Sequence, residues 1–201
     1  ELTDPLVAQE LAKYKGCLDL PKIQSISDEA ADELTKFTKQ INVRRDLPSG
    51  MIDLLKALPK ESNPMDVIQL AVSSLGTFYP VTFDAEDLKA KKYTKDYYIE
   101  VSAGILGSIG SIVAAWNRIK NNKDYIKPDS NLSYADNFMH MLDDSIEVTP
   151  LISRIIDATL ILHAEHTINA STFTSMVTSS TLASPTQVIA SAIGSLSGPL
   201  H

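Results

Sequence analysis

The densest group of residues that could carry chemistry is the stretch LILHAEHTINASTF, residues 160–173. His163 and His166 are three positions apart, so on a helix they lie on one face, with Glu165 turned away from both. A helical metalloprotease motif has two histidines four positions apart with a glutamate between them, and HAEH departs from that spacing. Two alternatives remain for the pair. It either binds a metal, or it is a core histidine at His163 followed by a helix-terminal His166 that the helix dipole favours.

A metal site would need a third ligand, and the sequence offers few candidates. The only other histidines are His140 and His201. We therefore expect no metal ion.

His201 has two interpretations of its own, because it closes the segment GSLSGPLH, residues 194–201. It is either a frayed tail or one half of a site whose other half lies outside this sequence.

The composition limits the class of protein. The chain has 201 residues, 44% hydrophobic and 21% charged, enough for one sizeable domain or for one domain with a small appendage. A formal net charge of −7 with scattered Lys and Arg disfavours nucleic-acid binding. The single cysteine, Cys17, cannot form an internal disulfide, so we expect a reducing compartment and a cytoplasmic location.

Residues 1–36 differ in pattern from the rest. LTDPLVAQELAKYKG (2–16) and ISDEAADELTKFTK (26–39) open and close alike, and the segment between them alternates apolar and polar residues as a short strand does. This pattern resembles one and a half units of a leucine-rich-repeat array. The alternative is two amphipathic helices with chance similarity. From Phe37 to residue 201 the sequence predicts helices throughout.

Four signals locate these helices. Pro59 should stop a helix within residues 43–62, and Asn63 and Pro64 should begin another that Gly76 ends. The uncharged stretch 101–116 is too short for a bilayer span and predicts a buried helix, with no membrane contact. Its glycines, Gly104, Gly107 and Gly110, suggest a partner backbone held close. Further helices are expected over residues 134–144, 149–166, 170–182 and 185–196.

Three motifs in one order resemble a known family. LILHAEHTINASTF, followed by VTSSTLASPTQVIASAIGSLSGPLH (177–201), is similar to the central segment of the citrate synthase family, with its His-x-x-His pair, Asn-Ala-Ser-Thr turn and Gly-Pro-x-His ending. LPSGMIDLLKALPKESNPMDVIQLAVSSLG (47–76) and YADNFMHML (134–142) resemble segments upstream of it. The resemblance covers residues 37–201 and implies a mainly α fold, a multi-helix fragment of the family's large domain.

The resemblance also implies roles for individual residues. His201 matches the family's catalytic histidine, which hydrogen-bonds the thioester oxygen of acetyl-CoA as an oxyanion-type donor. His166 matches the histidine that binds oxaloacetate. His163, Asn169 and Ser171 match supporting positions, expected to be buried and to orient His166 and the turn. Acetyl-CoA would be a substrate, and no cofactor is implied.

The chain also departs from the family pattern. The second catalytic histidine, the aspartate base and the carboxylate-binding arginines of the family follow the Gly-Pro-x-His motif, and none can be matched here. We therefore expect the isolated chain to be inactive. The alternative function is a non-catalytic dimerisation or interaction module. The family's dimer interface matches residues 64–76, 99–119, 170–182 and 185–196, whose small residues suit close helix contact.

Overall fold

The protein is mainly α-helical, as the sequence predicts. A computed structural model describes residues 41, 45–79, 95–163 and 168–200, and within these ranges the chain forms seven helices and no strand. The strand expected near residue 20 lies outside the described residues. The helices are α1 (Ser49–Ala57), α2 (Pro64–Phe78), α3 (Lys95–Lys120), α4 (Tyr134–Leu142), α5 (Pro150–His163), α6 (Ala170–Ser180) and α7 (Pro185–Leu196).

The boundaries of α1 and α2 follow from their capping residues. Leu58 takes an extended backbone, with ψ of 146°, because the following Pro59 disfavours the helical region, so α1 ends at Ala57. The side chain of Asn63 accepts a hydrogen bond from the Met65 amide at 2.9 Å, and Pro64 occupies the first turn of α2. Both predicted signals are confirmed.

The prediction that Gly76 ends α2 is wrong. The helix continues to Phe78, and Gly76 lies where α2 packs against α7. A β-carbon at Gly76 would lie 2.8 Å from Oγ1 of Thr186, a buried residue at the start of α7. Glycine at this position therefore allows two helices to approach closely and does not terminate one of them.

The helices pack in a nearly linear order. Helix α6 packs on α7, α7 on α2, α2 on α3, α3 on α4, and α4 on α5. In addition, α1 packs against both α2 and α3, and α7 also contacts α3. Within the described ranges α5 and α6 therefore contact one helix each. The main core cluster contains Leu47, Met51, Leu55, Val67, Ala71, Val72, Leu75, Ile105, Ile112, Ala115, Trp116, Ile119, Ala190 and Ile193.

Helix α3 is the central element of this order. Among the described residues, its Tyr97–Lys120 portion is long and apolar enough to cross a membrane by length and composition alone, with a mean hydropathy of 1.5 in its most apolar 18-residue stretch. In the fold, however, 56% of that stretch is buried within the protein, and the buried residues of the helix include Ile112, Ala115 and Trp116. Burial against α1, α2, α4 and α7 accounts for the apolar composition of this helix.

The glycine stripe of α3 meets a side chain at Gly110, not the backbone that the sequence led us to expect. A β-carbon at Gly110 would lie 3.0 Å from the hydroxyl of Tyr134 and 3.7 Å from the ring of Phe138, both on α4. The Tyr134 hydroxyl donates a hydrogen bond to the Leu106 carbonyl at 3.0 Å. Gly110 therefore leaves room for the ring that joins α4 to α3.

Replacing Gly110 with alanine should destabilise the chain. Overpacking of this kind costs about 1–3 kcal/mol, and the better helix propensity of alanine returns up to about 1 kcal/mol. We expect a net loss of about 1 kcal/mol in the free energy of unfolding, measured by urea denaturation. Gly198→Ala is the control, because its nearest atom, the Ser195 carbonyl oxygen, lies at an ordinary 3.5 Å. Equal stabilities for the two variants would contradict the packing assigned to Gly110.

Candidate active site

Helix α5 ends at His163, the first histidine of the predicted site. The Nδ1 atom of His163 lies 2.7 Å from the Thr159 carbonyl oxygen, one turn earlier. A carbonyl can only accept, so Nδ1 donates, and in the neutral ring Nε2 is left as the acceptor. The side chain is exposed within the described part of the chain, whereas the sequence predicts a buried supporting residue. The hydrogen bond that the structure describes for this ring therefore comes from its own helix.

Asn169 and Ser171 come together at the start of α6. The Asn169 side-chain oxygen accepts hydrogen bonds from the Thr172 amide and from the Ser171 hydroxyl, both at 2.7 Å. Asn169 is therefore the N-cap of α6, and Ser171 fixes the capping side chain in place. The Asn-Ala-Ser-Thr turn is a stable helix start directly after the predicted substrate-binding segment.

Removing this cap should weaken α6. We expect Asn169→Ala to lower the free energy of unfolding by about 1 kcal/mol, because one helix-start amide and the Ser171 hydroxyl lose their acceptor. Asn169→Asp keeps a capping oxygen and serves as the control. Urea denaturation checks the difference, and amide exchange over residues 170–180 locates it. An alanine variant as stable as the aspartate variant would contradict the cap.

The two histidines with the largest predicted roles fall outside the described residues. His166 belongs to the segment 164–167, between α5 and the Asn169 turn, and His201 follows Leu200. Helices α5 and α6 make no described contact with each other, yet only five residues separate His163 from Asn169. In the sequence, His166 is therefore three residues from His163 and three residues from Asn169.

Helix α7 leads to His201 and is fixed on α2. The Gln187 amide donates to the Ser73 hydroxyl at 2.9 Å, and a β-carbon at Gly194 would lie 2.6 Å from the side-chain nitrogen of Gln69. After α7 the Ser197 amide donates to the Ile193 carbonyl at 3.1 Å, and its hydroxyl donates to the Gly194 carbonyl at 2.7 Å. The packing of α7 on α2 therefore sets where the Gly-Pro-x-His segment begins.

Sequence reasoning missed two charged residues near these elements. Arg45 is buried, donates to the Leu132 carbonyl at 3.1 Å and lies 5.2 Å from the centre of the Tyr134 ring, while its own carbonyl accepts from Ser111 at 2.6 Å. It joins the start of α1 to α3 and α4. The adjacent residues in the sequence RRDLP are charged and give no indication that Arg45 is buried.

Asp157 is the second residue that sequence reasoning missed. The sequence could have indicated it, because Asp157 is the one acidic residue within the apolar helix α5.

The pKa of Asp157 is raised, mainly by burial and secondly by the neighbouring carboxylate of Asp136. Asp136 stands near the start of α4, where it accepts a hydrogen bond from the Ser133 hydroxyl at 2.7 Å. A carboxyl whose folded pKa lies above its unfolded value binds a proton more readily in the folded chain. Its contribution to stability therefore falls as the pH rises from about 4 through the folded pKa.

Asp157→Asn tests this effect. The variant should be more stable than the wild type at pH 7, and the difference should narrow as the pH approaches 4, where the wild-type carboxyl becomes protonated in both states. Urea denaturation of both proteins across this range measures the difference. Contributions of acids that do not interact with Asp157, such as Asp143 with its pKa lowered to about 2, cancel in the comparison. A stability difference independent of pH would contradict the assignment.

Two further features of the described residues bear on the location of a site. No group of three or more metal-ligating side chains occurs among the described residues. A cavity of about 440 Å³ lies between the end of α2, the first half of α3 and the start of α7, lined mainly by apolar and hydroxyl-bearing residues such as Phe78, Val101, Ile105 and Thr186. It is at the opposite end of α7 from the His201 segment, so we do not include it in the candidate active site.

Comparison with known proteins identifies the family. The sequence model of the protein family described as citrate synthase, C-terminal domain, matches residues 27–201 of this chain. The chain belongs to the citrate synthase family. The family match begins before residue 37, so part of the repeat-like segment belongs to it. No comparison supports the leucine-rich-repeat interpretation of residues 1–36.

Individual relatives agree with the family match. The citrate synthase of Acidithiobacillus ferridurans is 40% identical over 172 residues, covering 85% of this chain and 43% of that protein. The 2-methylcitrate synthase 2 of Corynebacterium glutamicum is 36% identical over 175 residues, 85% of this chain and 44% of that protein. The crystal structure of the Pyrobaculum aerophilum citrate synthase matches with a TM-score of 0.75 at 29% identity, covering 88% of this chain and 44% of that one. The chain thus spans less than half the length of these relatives.

Proposed function

We propose that the complete protein to which this sequence belongs condenses acetyl-CoA with oxaloacetate, and that water then cleaves the thioester of the product to give citrate and CoA. The observation that carries the proposal is the family match over residues 27–201, which includes all the motifs of the candidate site. The capped helix start at Asn169 supports it, because Asn169 follows His166 by three residues in the family's Asn-Ala-Ser-Thr motif.

Two histidines have chemical roles in this proposal. His201 donates a hydrogen bond to the thioester oxygen of acetyl-CoA and stabilises the enolate as negative charge develops on that oxygen. His166 binds oxaloacetate and presents its carbonyl carbon to the enolate. His163, Asn169 and Ser171 support His166, and the His163–Thr159 and Asn169–Thr172 hydrogen bonds are consistent with that role.

The isolated chain should not turn over substrate. In the family, the general base and the arginine clamps follow the Gly-Pro-x-His motif. Loss of a general base alone costs about 10²–10⁴-fold in rate, and substrate positioning is lost as well. The chain therefore holds one part of a site that needs the remainder of the protein.

A chimera tests the reaction. In it, residues 27–201 of this chain replace the matching part of the Acidithiobacillus ferridurans citrate synthase, and the product is identified by mass spectrometry. We expect citrate from acetyl-CoA and oxaloacetate. Propionyl-CoA is offered in parallel, because a relative named 2-methylcitrate synthase is nearly as similar as those named citrate synthase. A folded chimera that forms no condensation product would contradict the proposed reaction.

We also propose that the protein forms a homodimer through α2, α3, α6 and α7, which contain the predicted interface segments. These four helices follow one another in the packing order. Each exposes at least one large apolar side chain, namely Leu70, Leu106, Phe173, Met176, Val177 and Leu196. Exposed apolar area on four neighbouring helices is typical of a surface that another protein covers.

The polar residues of these helices are suited to burial in such an interface. The hydroxyl of Thr174 donates to the Ala170 carbonyl, that of Thr178 to the Thr174 carbonyl, and that of Ser74 to the Leu70 carbonyl, at 2.8–2.9 Å. A hydroxyl bonded to its own helix can be covered by a partner without leaving an unpaired donor. The helices therefore remain compatible with close contact despite many Ser and Thr residues.

Phe173 and Val177 offer a test of the dimer. They are 62% and 52% exposed, one turn apart on α6, so replacing both with glutamate should not disturb the fold of one chain. We expect the wild type to be a dimer and the variant a monomer by size-exclusion chromatography with light scattering. A wild-type chain that stays monomeric at high concentration would contradict the interface.

Two expectations complete the proposal. A cytoplasmic location is supported by the single cysteine, Cys17.

A division of the chain at residue 36 is supported only by the two similar segments 2–16 and 26–39. Limited proteolysis of the chain should then cut near residue 36 and leave a stable larger fragment. Cleavage near residue 26, where the family match begins, would favour a different boundary.

A further inference from the structure

The start of helix α7 is held on helix α2 by two contacts. A β-carbon at Gly76 of α2 would lie 2.8 Å from Oγ1 of Thr186, a buried residue whose side chain is branched at its own β-carbon. Beside it, the Gln187 amide donates to the Ser73 hydroxyl at 2.9 Å. A side chain branched at the β-carbon has few rotamers and yields little, so this end of α7 has a fixed position on α2.

The last turn of α7 meets α2 at Gly194, where the amide group of Gln69 lies. A β-carbon at Gly194 would be 2.6 Å from Nε2, 3.1 Å from Cδ and 3.2 Å from Oε1 of Gln69. Because all three atoms of the amide are this close, turning the amide about its own bond would not make room for a methyl group. Alanine at position 194 requires either that Gln69 leaves the contact or that the end of α7 moves away from α2.

This contact lies one turn before the segment that leads to His201. The Ser197 hydroxyl donates to the Gly194 carbonyl at 2.7 Å, and the Ser197 amide donates to the Ile193 carbonyl at 3.1 Å. Gly198 follows directly and begins the Gly-Pro-x-His motif. Since the start of α7 is held, a displacement at Gly194 would pivot the helix and pass to Ser197 and to the motif.

We propose that Gln69 and Gly194 are positioning residues for His201. The Gln69 amide occupies the space that glycine leaves free and thereby sets the distance of the last turn of α7 from α2. The inference rests on the proposed function, because it concerns the place of His201 in catalysis. A shift of about 1 Å in a reacting group can cost about 10²-fold in rate, so one methyl group at this contact has a measurable effect.

Competition for one space gives a kinetic test in the chimera defined above. Gly194→Ala should lower kcat at least about tenfold, and Gln69→Ala, which removes the spacer, at least about threefold. The double variant should recover to within about threefold of the unaltered chimera, because the alanine methyl group then takes the space that the amide leaves. The KM for oxaloacetate should change less than about twofold, since His166 is not on α7.

Gly76→Ala is the matched control, because it adds the same methyl group between the same two helices at the end remote from His201. It should destabilise the chimera to urea at least as much as Gly194→Ala does, yet lower kcat less than about threefold. Equal losses of kcat in these two variants, an unchanged kcat in Gly194→Ala, or simply additive effects of the substitutions at 69 and 194 would each overturn the proposal. So would loss of the dimer in Gly194→Ala, measured by light scattering.

A second measurement does not depend on activity. In the isolated chain, hydrogen exchange of the Ser197 and Gly198 amides should be at least about tenfold faster in Gly194→Ala than in the wild type, and the double variant should reverse this. Gly76→Ala should change these two rates less than about threefold. Unaltered exchange in Gly194→Ala would overturn the positioning role. The expected exchange rates, together with a chimera that forms no product, would support that role while contradicting the proposed reaction.

Discussion

Replacing His201 with alanine in the chimera is expected to lower kcat by about 10²–10³-fold, the usual effect of removing one donor from an oxyanion-binding site. The reason is that charge develops on the thioester oxygen when the methyl group is deprotonated, and His201 is proposed to donate to that atom. The KM for oxaloacetate should change little, because His201 acts on the other substrate. CoA release with acetyl-CoA and oxaloacetate provides both constants.

Two controls separate this role from a structural one. His140→Ala removes a histidine of α4 that lies outside the candidate site, and its kcat should match that of the unaltered chimera. His166→Ala should instead raise the KM for oxaloacetate, since His166 is assigned to that substrate. A His201→Ala chimera with unchanged kcat and an unchanged melting temperature would contradict the role given to His201.

The second large effect concerns the core. Leu55 of α1 is fully buried among residues of α2 and α3, so Leu55→Ala removes apolar contacts and leaves a cavity. Such substitutions cost about 2–5 kcal/mol, a large share of the stability of an ordinary domain. We expect a corresponding loss in the free energy of unfolding by urea denaturation of the chain.

Leu162→Ala is the matched control for this substitution. The same three carbon atoms are removed, but Leu162 is 77% exposed in the chain, so the cost should stay within about 0.5 kcal/mol. Similar losses for Leu55→Ala and Leu162→Ala would contradict the burial described for α1, or would show that α5 is covered in the isolated chain.

The helix boundaries could largely be predicted from the sequence because local rules determine them. Asn63 and Pro64 begin α2 and Pro59 follows the end of α1, as expected from capping and from the restriction that proline places on its predecessor. At Gly76 the same local reasoning failed. A tertiary contact with Thr186 explains this glycine, and no neighbouring residue in the sequence announces that contact.

The end of α6 shows another limit of local reasoning. The sequence predicts a helix to residue 182, whereas α6 ends at Ser180 and Leu182 has a left-handed φ of 61°. The hydroxyls of Ser179, Ser180 and Thr181 donate to carbonyls three residues earlier. Side-chain donors of this kind compete with the regular backbone ladder and shorten the helix.

The candidate site was only partly predictable. Asn169 directly precedes the helix predicted from residue 170, its residue type suits an N-cap, and the structure contains that cap. The exposure of His163 could not be predicted, because the apolar run of α5 suggests burial on every side. Within the described residues α5 packs on α4 alone, and several of its apolar side chains, such as Leu151 and Leu162, are exposed.

CoA release by the chain alone, compared with the chimera at equal concentration, tests the central claim most directly. The claim is that this sequence contributes His166 and His201 to a citrate-synthase-type site that the rest of the protein completes. We predict turnover by the chimera and none above the enzyme-free background by the chain alone. Turnover by the isolated chain that His201→Ala abolishes would contradict the claim, because the site would then be complete within these 201 residues.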